Sequence, residues 1–286
     1  MKDVKGKVAF ITGGASGMGL GMARAFAAAG MKVMIADIEA GPAQAAVDEL
    51  KAKGFDAACL QVDVTNLEAM HAAAKRTVGT FGKVHVLCNN AGVGCGGRSE
   101  TAKMRNWQWV VDVNLWGVVH GLQAFVPLIQ AHGEGGHIVS TSSMAGMITI
   151  AGTGPYNATK YAVTGIMETM MVEQKGTNLG ISVLCPGLVA TNLGSSARNR
   201  QDQYGGAAKA NPNDLMVNAL SDGLDPDIVG RQVLEAIQDD QPYIFTNPEV
   251  GHMFESRARA VMSGFAWAAK CKALEGVKQP STLPGV

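Results

Sequence analysis

The junction over residues 8–29 constrains this chain most. An unbroken apolar run, Val8-Ala-Phe-Ile11, ends in Thr12-Gly13, and Gly17 and Gly19 follow before the alanine-rich stretch Leu20 to Ala29. A strand that is apolar on both faces must be covered on both faces, as in a parallel sheet. Glycines at this spacing permit a tight turn and let backbone N–H groups approach a pyrophosphate, to which the helix N-terminus adds partial positive charge. The spacing alone would also serve a plain turn; its place between strand and helix points to a dinucleotide.

The unit recurs. Further strands are predicted at Lys32–Ala36, Ala57–Val62, Val84–Cys88, His137–Thr141, Ile181–Cys185 and Tyr243–Thr246. Helices are predicted from Pro42 to about Lys53, from the Asn66 cap to about Phe81, from about Ala102 to Ala131, from Pro155 to about Lys175 and from Pro226 to Gln238. This rhythm implies an α/β, doubly wound parallel sheet of about seven strands with helices on both faces. No repeat or linker divides residues 1–286, so one domain is expected. Within it, the polar, Asn-rich residues 188–225 read as a mobile substrate lid. Residues 248–286 read as a C-terminal helical extension with a loose end after about Gly276.

Ligands of such sheets sit at the carboxyl ends of the strands, and several residues with chemistry fall there. Asp37 ends the second strand, where a carboxylate accepts hydrogen bonds from the adenine ribose hydroxyls and repels a 2′-phosphate. Ile38 and Glu39 follow it with no arginine beside it, which favours NAD over NADP; a turn-forming aspartate is the alternative. Asp63 could accept from the adenine amino group or cap the following turn. Asn89-Asn90-Ala91-Gly92 could pack against the adenosine or brace the sheet. Tyr156 and Lys160 share one helix face. An ammonium there lowers a phenol's pKa and makes the pair a general acid/base. Ser143 could hold a substrate oxygen against the tyrosine, with Ser142 the alternative serine.

Composition excludes other classes. Net charge is zero and no basic run suggests a nucleic-acid surface. The most apolar long stretch, Trp107 to Ile129, holds Asp112, Asn114, His120, Gln123 and Pro127, which argues against a membrane span. Val8 to Ile11 is too short for a signal peptide. Cys59, Cys88, Cys95, Cys185 and Cys271 are scattered without C-x-x-C spacing, as expected of reduced thiols in a cytoplasm. His132 and His137 have no acidic or thiol companions at ligand spacing, so no metal site is expected.

Taken together, Thr12-Gly13-x-x-x-Gly17-x-Gly19, Asn89-Asn90-Ala91-Gly92, Asn114, Ser143, Tyr156-x-x-x-Lys160 and Pro186-Gly187 with Thr191 resemble the short-chain dehydrogenase/reductase family in its short form, over residues 5–250. The resemblance implies a Rossmann-type fold and nicotinamide-linked alcohol/ketone chemistry, with Asn114, Ser143, Tyr156 and Lys160 as a catalytic tetrad. Asn114 would mark a helix kink whose freed carbonyl holds a relay water, unless it is a packing residue. The implied NAD-binding set is Gly13, Ser16, Gly17, Met18, Gly19, Asp37, Asp63, Val64, Asn90, Ala91, Gly92, Tyr156, Lys160, Pro186, Gly187, Val189 and Thr191. Lys160 would also reach the nicotinamide ribose, and Thr191 the carboxamide. The family's helix pairing implies a homo-oligomer, dimer or tetramer, acting on a small alcohol or ketone. The alternative is a non-catalytic NAD(H)-binding scaffold or redox sensor, which has no need of the tetrad.

The substrate is read less directly. Gly94 to Arg98, Met144 to Gly154 and the lid are small, apolar and methionine-rich, and only Arg98, Arg198 and Arg200 offer a cationic clamp. An apolar or aryl-containing substrate is therefore expected. The tail Asn247-Pro-Glu-Val-Gly-His-Met-Phe-Glu255 and a turn at Phe125-Val-Pro127 are similar to bacterial dehydrogenases of lignin-type aryl ethers, which oxidise a benzylic secondary alcohol.

Overall fold

The computed structural model describes residues 1–209 and 215–278. It divides into two compact units, Met1–Thr246 and Asn247–Val286. The first holds a seven-stranded, wholly parallel sheet in the order β3-β2-β1-β4-β5-β6-β7. Its strands are β1 (Val8–Thr12), β2 (Lys32–Asp37), β3 (Ala57–Gln61), β4 (Val86–Asn89), β5 (Gly136–Thr141), β6 (Leu179–Cys185) and β7 (Tyr243–Phe245). The order reverses direction between β1 and β4, which opens a crevice at their carboxyl ends.

Each face of the sheet carries its own core. In β1, Ala9 and Ile11 join Met22, Phe26, Val47, Leu50, Val229 and Val233, which belong to helices α1 (Gly17–Ala28), α2 (Ala40–Ala52) and α8 (Pro226–Asp239). Phe10 points the other way, to Met70, Trp109, Phe125 and Met167. Those residues come from α3 (Leu67–Phe81), α4 (Met104–Val111), α5 (Gly117–Ala131) and α6 (Gly154–Glu173). The rings of Phe10 and Phe125 lie 4.2 Å apart. This period-two alternation, with apolar neighbours on both sides, is why β1 reads as a continuous apolar run.

The helices depart from expectation in three places. The span predicted as one helix from Ala102 is α4 and α5 joined by a π-helical turn over Asp112–Trp116. The Phe125–Pro127 turn is corrected: Pro127 lies inside α5, held by the buried Phe125 and Ile129 on either side. The segment expected to be a lid carries three short helical elements among its described residues. It has 3-10 turns at Asn192–Asn199 and Asp202–Tyr204, then helix α7 (Leu215–Ser221). Residues 210–214 of the expected lid lie outside the described residues. In the second unit the expected helix forms as α9 (Gly251–Ala268); the loose end falls largely at 279–286, outside the described residues. Among the described residues no helix is long and apolar enough to cross a membrane.

Candidate active site

One crevice runs along the carboxyl ends of the central strands. Of the residues expected to bind cofactor or act in catalysis, all but Gly19 and Asn114 line it. Gly19 lies beneath, packed so closely that a Cβ there would stand 2.1 Å from the Gly13 carbonyl oxygen. Gly17 takes φ +52° at the start of α1, a left-handed conformation that suits glycine. Ser16, at the N-cap, makes no side-chain cap, so the helix lends its first N–H groups to the crevice. Together these make an anion cradle.

Asp37 is fixed at the end of β2. One carboxylate oxygen accepts from Ala15 N–H and the other from Glu39 N–H, both at 3.0 Å. Asp63 caps its own turn, accepting from the Thr65 backbone and hydroxyl, while its second oxygen accepts from Gln201 Nε2 at 2.7 Å. Asn90 braces the sheet: Nδ2 donates to the carbonyls of Thr12 and Gly13, and the Thr12 hydroxyl accepts from Asn90 and Ala91 N–H. For Asp63 and the Asn-Asn-Ala-Gly segment, the structural alternatives are therefore realised, with the crevice lining added.

At the other end stand Ser143, Tyr156 and Lys160. Ser143 Oγ accepts from Ala145 N–H at 3.1 Å. Ser142 is fully buried, its hydroxyl spent on the Lys160 carbonyl and the Thr164 hydroxyl, each at 2.8 Å. That removes it as the serine that meets a ligand oxygen. Lys160 Nζ donates to the Thr141 carbonyl at 2.8 Å and lies 5.6 Å from the Tyr156 ring centroid. Burial pushes the lysine down to about 8. The expected lowering of the Tyr156 pKa is not seen: burial raises it, opposed by the hydrogen bond with Ser143. The ammonium is aimed at a backbone carbonyl rather than at the phenol.

Asn114 sits in the π-helical turn, fully buried. Its amide grips the strand exit, accepting from Val93 N–H at 2.8 Å and donating to Val93 C=O at 3.0 Å.

Sequence reasoning missed how residues 196–204 are seated. Ser196 accepts from Gly94 N–H. Arg198 pairs with Glu39, Gln201 donates to Asp63, and the Tyr204 hydroxyl donates to Asp112 at 2.6 Å. Arg200 stacks 4.1 Å from the Trp109 ring centroid, and Arg98 pairs with Glu100. No periodicity marks these long-range polar pairs, so the sequence holds no signal for them. The reading of His132 is also corrected. The fold gathers His85, His132 and Glu134, but their donors are committed. His85 bonds Val8 N–H and Glu134, His132 bonds the Val84 carbonyl and Glu134 N–H, and Glu134 pairs with Lys7 and Lys83.

Comparison with known proteins agrees with this geometry. Residues 7–202 match the family model described as short chain dehydrogenase. The chain is 34% identical over 270 residues to a C alpha-dehydrogenase of Sphingobium sp. (strain NBRC 103272 / SYK-6), covering 93% of this chain and 88% of that protein. It is 39% identical over 188 residues to a cyclohexanol dehydrogenase of Acinetobacter sp. (strain SE19), covering 65% and 74%. A crystal structure from Burkholderia phymatum, of a short chain dehydrogenase/reductase in complex with NAD, superposes with a TM-score of 0.87 at 33% identity, covering 99% of this chain and 100% of that one.

Proposed function

The chain belongs to the short-chain dehydrogenase family, and from that premise we propose that it is an NAD-dependent oxidoreductase interconverting a neutral secondary alcohol and its ketone. One observation carries the reading: Asp37 and the glycine cradle occupy the same crevice as Ser143, Tyr156 and Lys160. The fit to a dinucleotide is physical. An acceptor for ribose hydroxyls stands at one end, uncapped helix N–H groups for a pyrophosphate come next, and a hydroxyl, a phenol and an ammonium stand at the other end. Bound NAD supplies the hydride acceptor.

The side chains supply the rest. In oxidation Tyr156 takes the alcohol proton; in reduction it gives one. Ser143 holds the reacting oxygen and stabilises charge that develops on it. Lys160, charged at neutral pH, donates to the Thr141 carbonyl at the crevice wall and reaches the nicotinamide ribose. Asn114 holds the Val93 backbone beside the reacting centre. Residues 188–225 are the substrate lid over a single catalytic domain.

The substrate is neutral because Lys160 and Arg198 are the only cations among the described residues lining the crevice, and Arg198 is already paired. The remaining lining is largely apolar: Val93, Trp109, Val113, Val189, Leu193 and Leu220. A cyclic or benzylic secondary alcohol suits it, and the cyclohexanol dehydrogenase is named for a cyclic one. Five free thiols fit a reducing cytoplasm. Met104, Trp116 and Val172, exposed at 70%, 49% and 69%, suit a homo-oligomer built through α4 to α6, which light scattering would check.

Purified protein incubated with NAD and a panel of cyclic and benzylic carbinols is expected to yield NADH, with NADP far poorer. Asp37→Ala should narrow that preference by about tenfold, through lost repulsion and a lost ribose acceptor. Dinucleotide binding with no turnover on any alcohol or ketone would move the reading to a cofactor-binding scaffold.

A further inference from the structure

The residues after Asp37 bring no arginine to the adenosine end, but the fold does. Arg198 arrives from the lid, 159 residues along the chain from Glu39. Its Nη2 donates to Glu39 Oε2 at 2.5 Å and its Nε to Oε1 at 3.4 Å, so the planar fork is filled by one carboxylate. The remaining nitrogen, Nη1, donates to the Ser195 carbonyl and hydroxyl at 3.2 Å. Glu39 and Arg198 line the same crevice as Asp37, and the Glu39 backbone N–H is the donor that orients Asp37. Both side chains of the pair keep about a third of their surface exposed, so a ligand can compete for the guanidinium.

A guanidinium is the side chain best matched to a phosphate: its planar fork gives paired, charge-assisted hydrogen bonds to two oxygens of the tetrahedral group. An unpaired arginine on this wall would therefore recruit a cofactor's 2′-phosphate. The Arg198 guanidinium also holds the Glu39 carboxyl below the usual carboxylate range, which keeps the acid ionised at neutral pH. We propose that Glu39 is a specificity residue for the cofactor: by occupying the fork of Arg198 it withholds from a 2′-phosphate the one guanidinium that lines the crevice among the described residues. This rests on the NAD reading above and adds a second acid with a different task. Asp37 receives the ribose and repels the phosphate; Glu39 touches no ribose and acts by sequestering a cation. Loss of Asp37 weakens NADH at the ribose and relieves repulsion of NADPH, whereas loss of Glu39 leaves NADH unchanged and strengthens only the phosphorylated one.

The test is fluorescence titration of NADH and NADPH against wild type, Glu39→Gln, Glu39→Ala, Arg198→Ala and the double variant Glu39→Ala/Arg198→Ala, each checked for folding by its melting curve. NADPH is expected to bind about tenfold tighter, relative to NADH, in Glu39→Ala. Glu39→Gln, whose amide oxygen still accepts from Arg198, should gain less. The gain should vanish in the double variant and fade as salt is raised. Arg198→Ala alone should bind NADPH no better than wild type. An unchanged NADPH affinity in Glu39→Ala, or a gain that survives removal of Arg198, overturns the assignment while leaving NAD as cofactor. A wild type that binds neither dinucleotide, or prefers NADPH, takes down the NAD reading and this assignment with it.

Discussion

Tyr156→Phe is expected to lower turnover by about 10³-fold while leaving NADH affinity within a factor of a few. The substitution deletes one oxygen and keeps the ring, so the fold loses little. The hydroxyl it removes is the one phenol among the described residues lining the crevice, and it is hydrogen-bonded with Ser143. The Ser143 hydroxyl hydrogen-bonds the phenol against the burial that raises its pKa, and both effects disappear with the oxygen. The measurement is a pair: steady-state rate on a secondary alcohol, and NADH titration by fluorescence. Turnover within tenfold of wild type would refute the proton-transfer role. Lost turnover with lost NADH binding would point to misfolding of the site.

Lys160→Met is the second large effect, and it acts on two quantities in opposite directions. Turnover should fall by about 10²-fold or more, because the ammonium that orients the nicotinamide ribose beside the reacting centre is gone. Stability should rise. Lys160 is 4% exposed, and burial holds its pKa at about 8, well below the free value near 10.4. Below pH 8 both folded and unfolded chains carry the proton, so the fold bears the whole cost of a buried ammonium. Between about pH 8 and 10.4 the unfolded chain keeps a proton that the folded chain has released, and stability grows with pH across that window. Methionine has a similar length and no charge. The melting temperature should therefore exceed wild type at pH 7, by roughly 2–4 °C per kcal/mol recovered. The gap should close as pH rises toward 10. A destabilised variant at neutral pH would show that the Thr141 hydrogen bond outweighs desolvation.

Most strands were legible to within two residues because a doubly covered strand must be an unbroken apolar run; Val8–Thr12 is the clearest. Boundaries slipped where glycine or a short polar residue carries the ladder on, as at Gly136 in β5 and Gly180 in β6. The π-helical turn was legible only as the kink that the resemblance implied at Asn114, because one extra residue in a helix leaves the apolar pattern on each side intact. The crevice lining was legible from motifs, since the chemistry sits at strand ends that topology brings together. Its polar seating was not. Arg198 with Glu39 and Gln201 with Asp63 join residues 159 and 138 apart, with no periodicity to announce them. Glu39 looked like a bystander to Asp37 for the same reason: its partner is nowhere near it in the chain.

The place of β1 in the sheet has a consequence for biosynthesis. It pairs with β2 on one edge but with Val86–Cys88 of β4 on the other. On the ribosome, at about 5–20 residues per second, the second partner follows the first strand by roughly 4–15 s. Through that interval Val8–Ile11 presents a bare apolar edge, the kind of surface that recruits foreign strands. Dinucleotide cannot rescue the newborn chain, because the crevice lacks a wall until Thr191 has been translated. Any protection that a bound dinucleotide gives comes only after that interval.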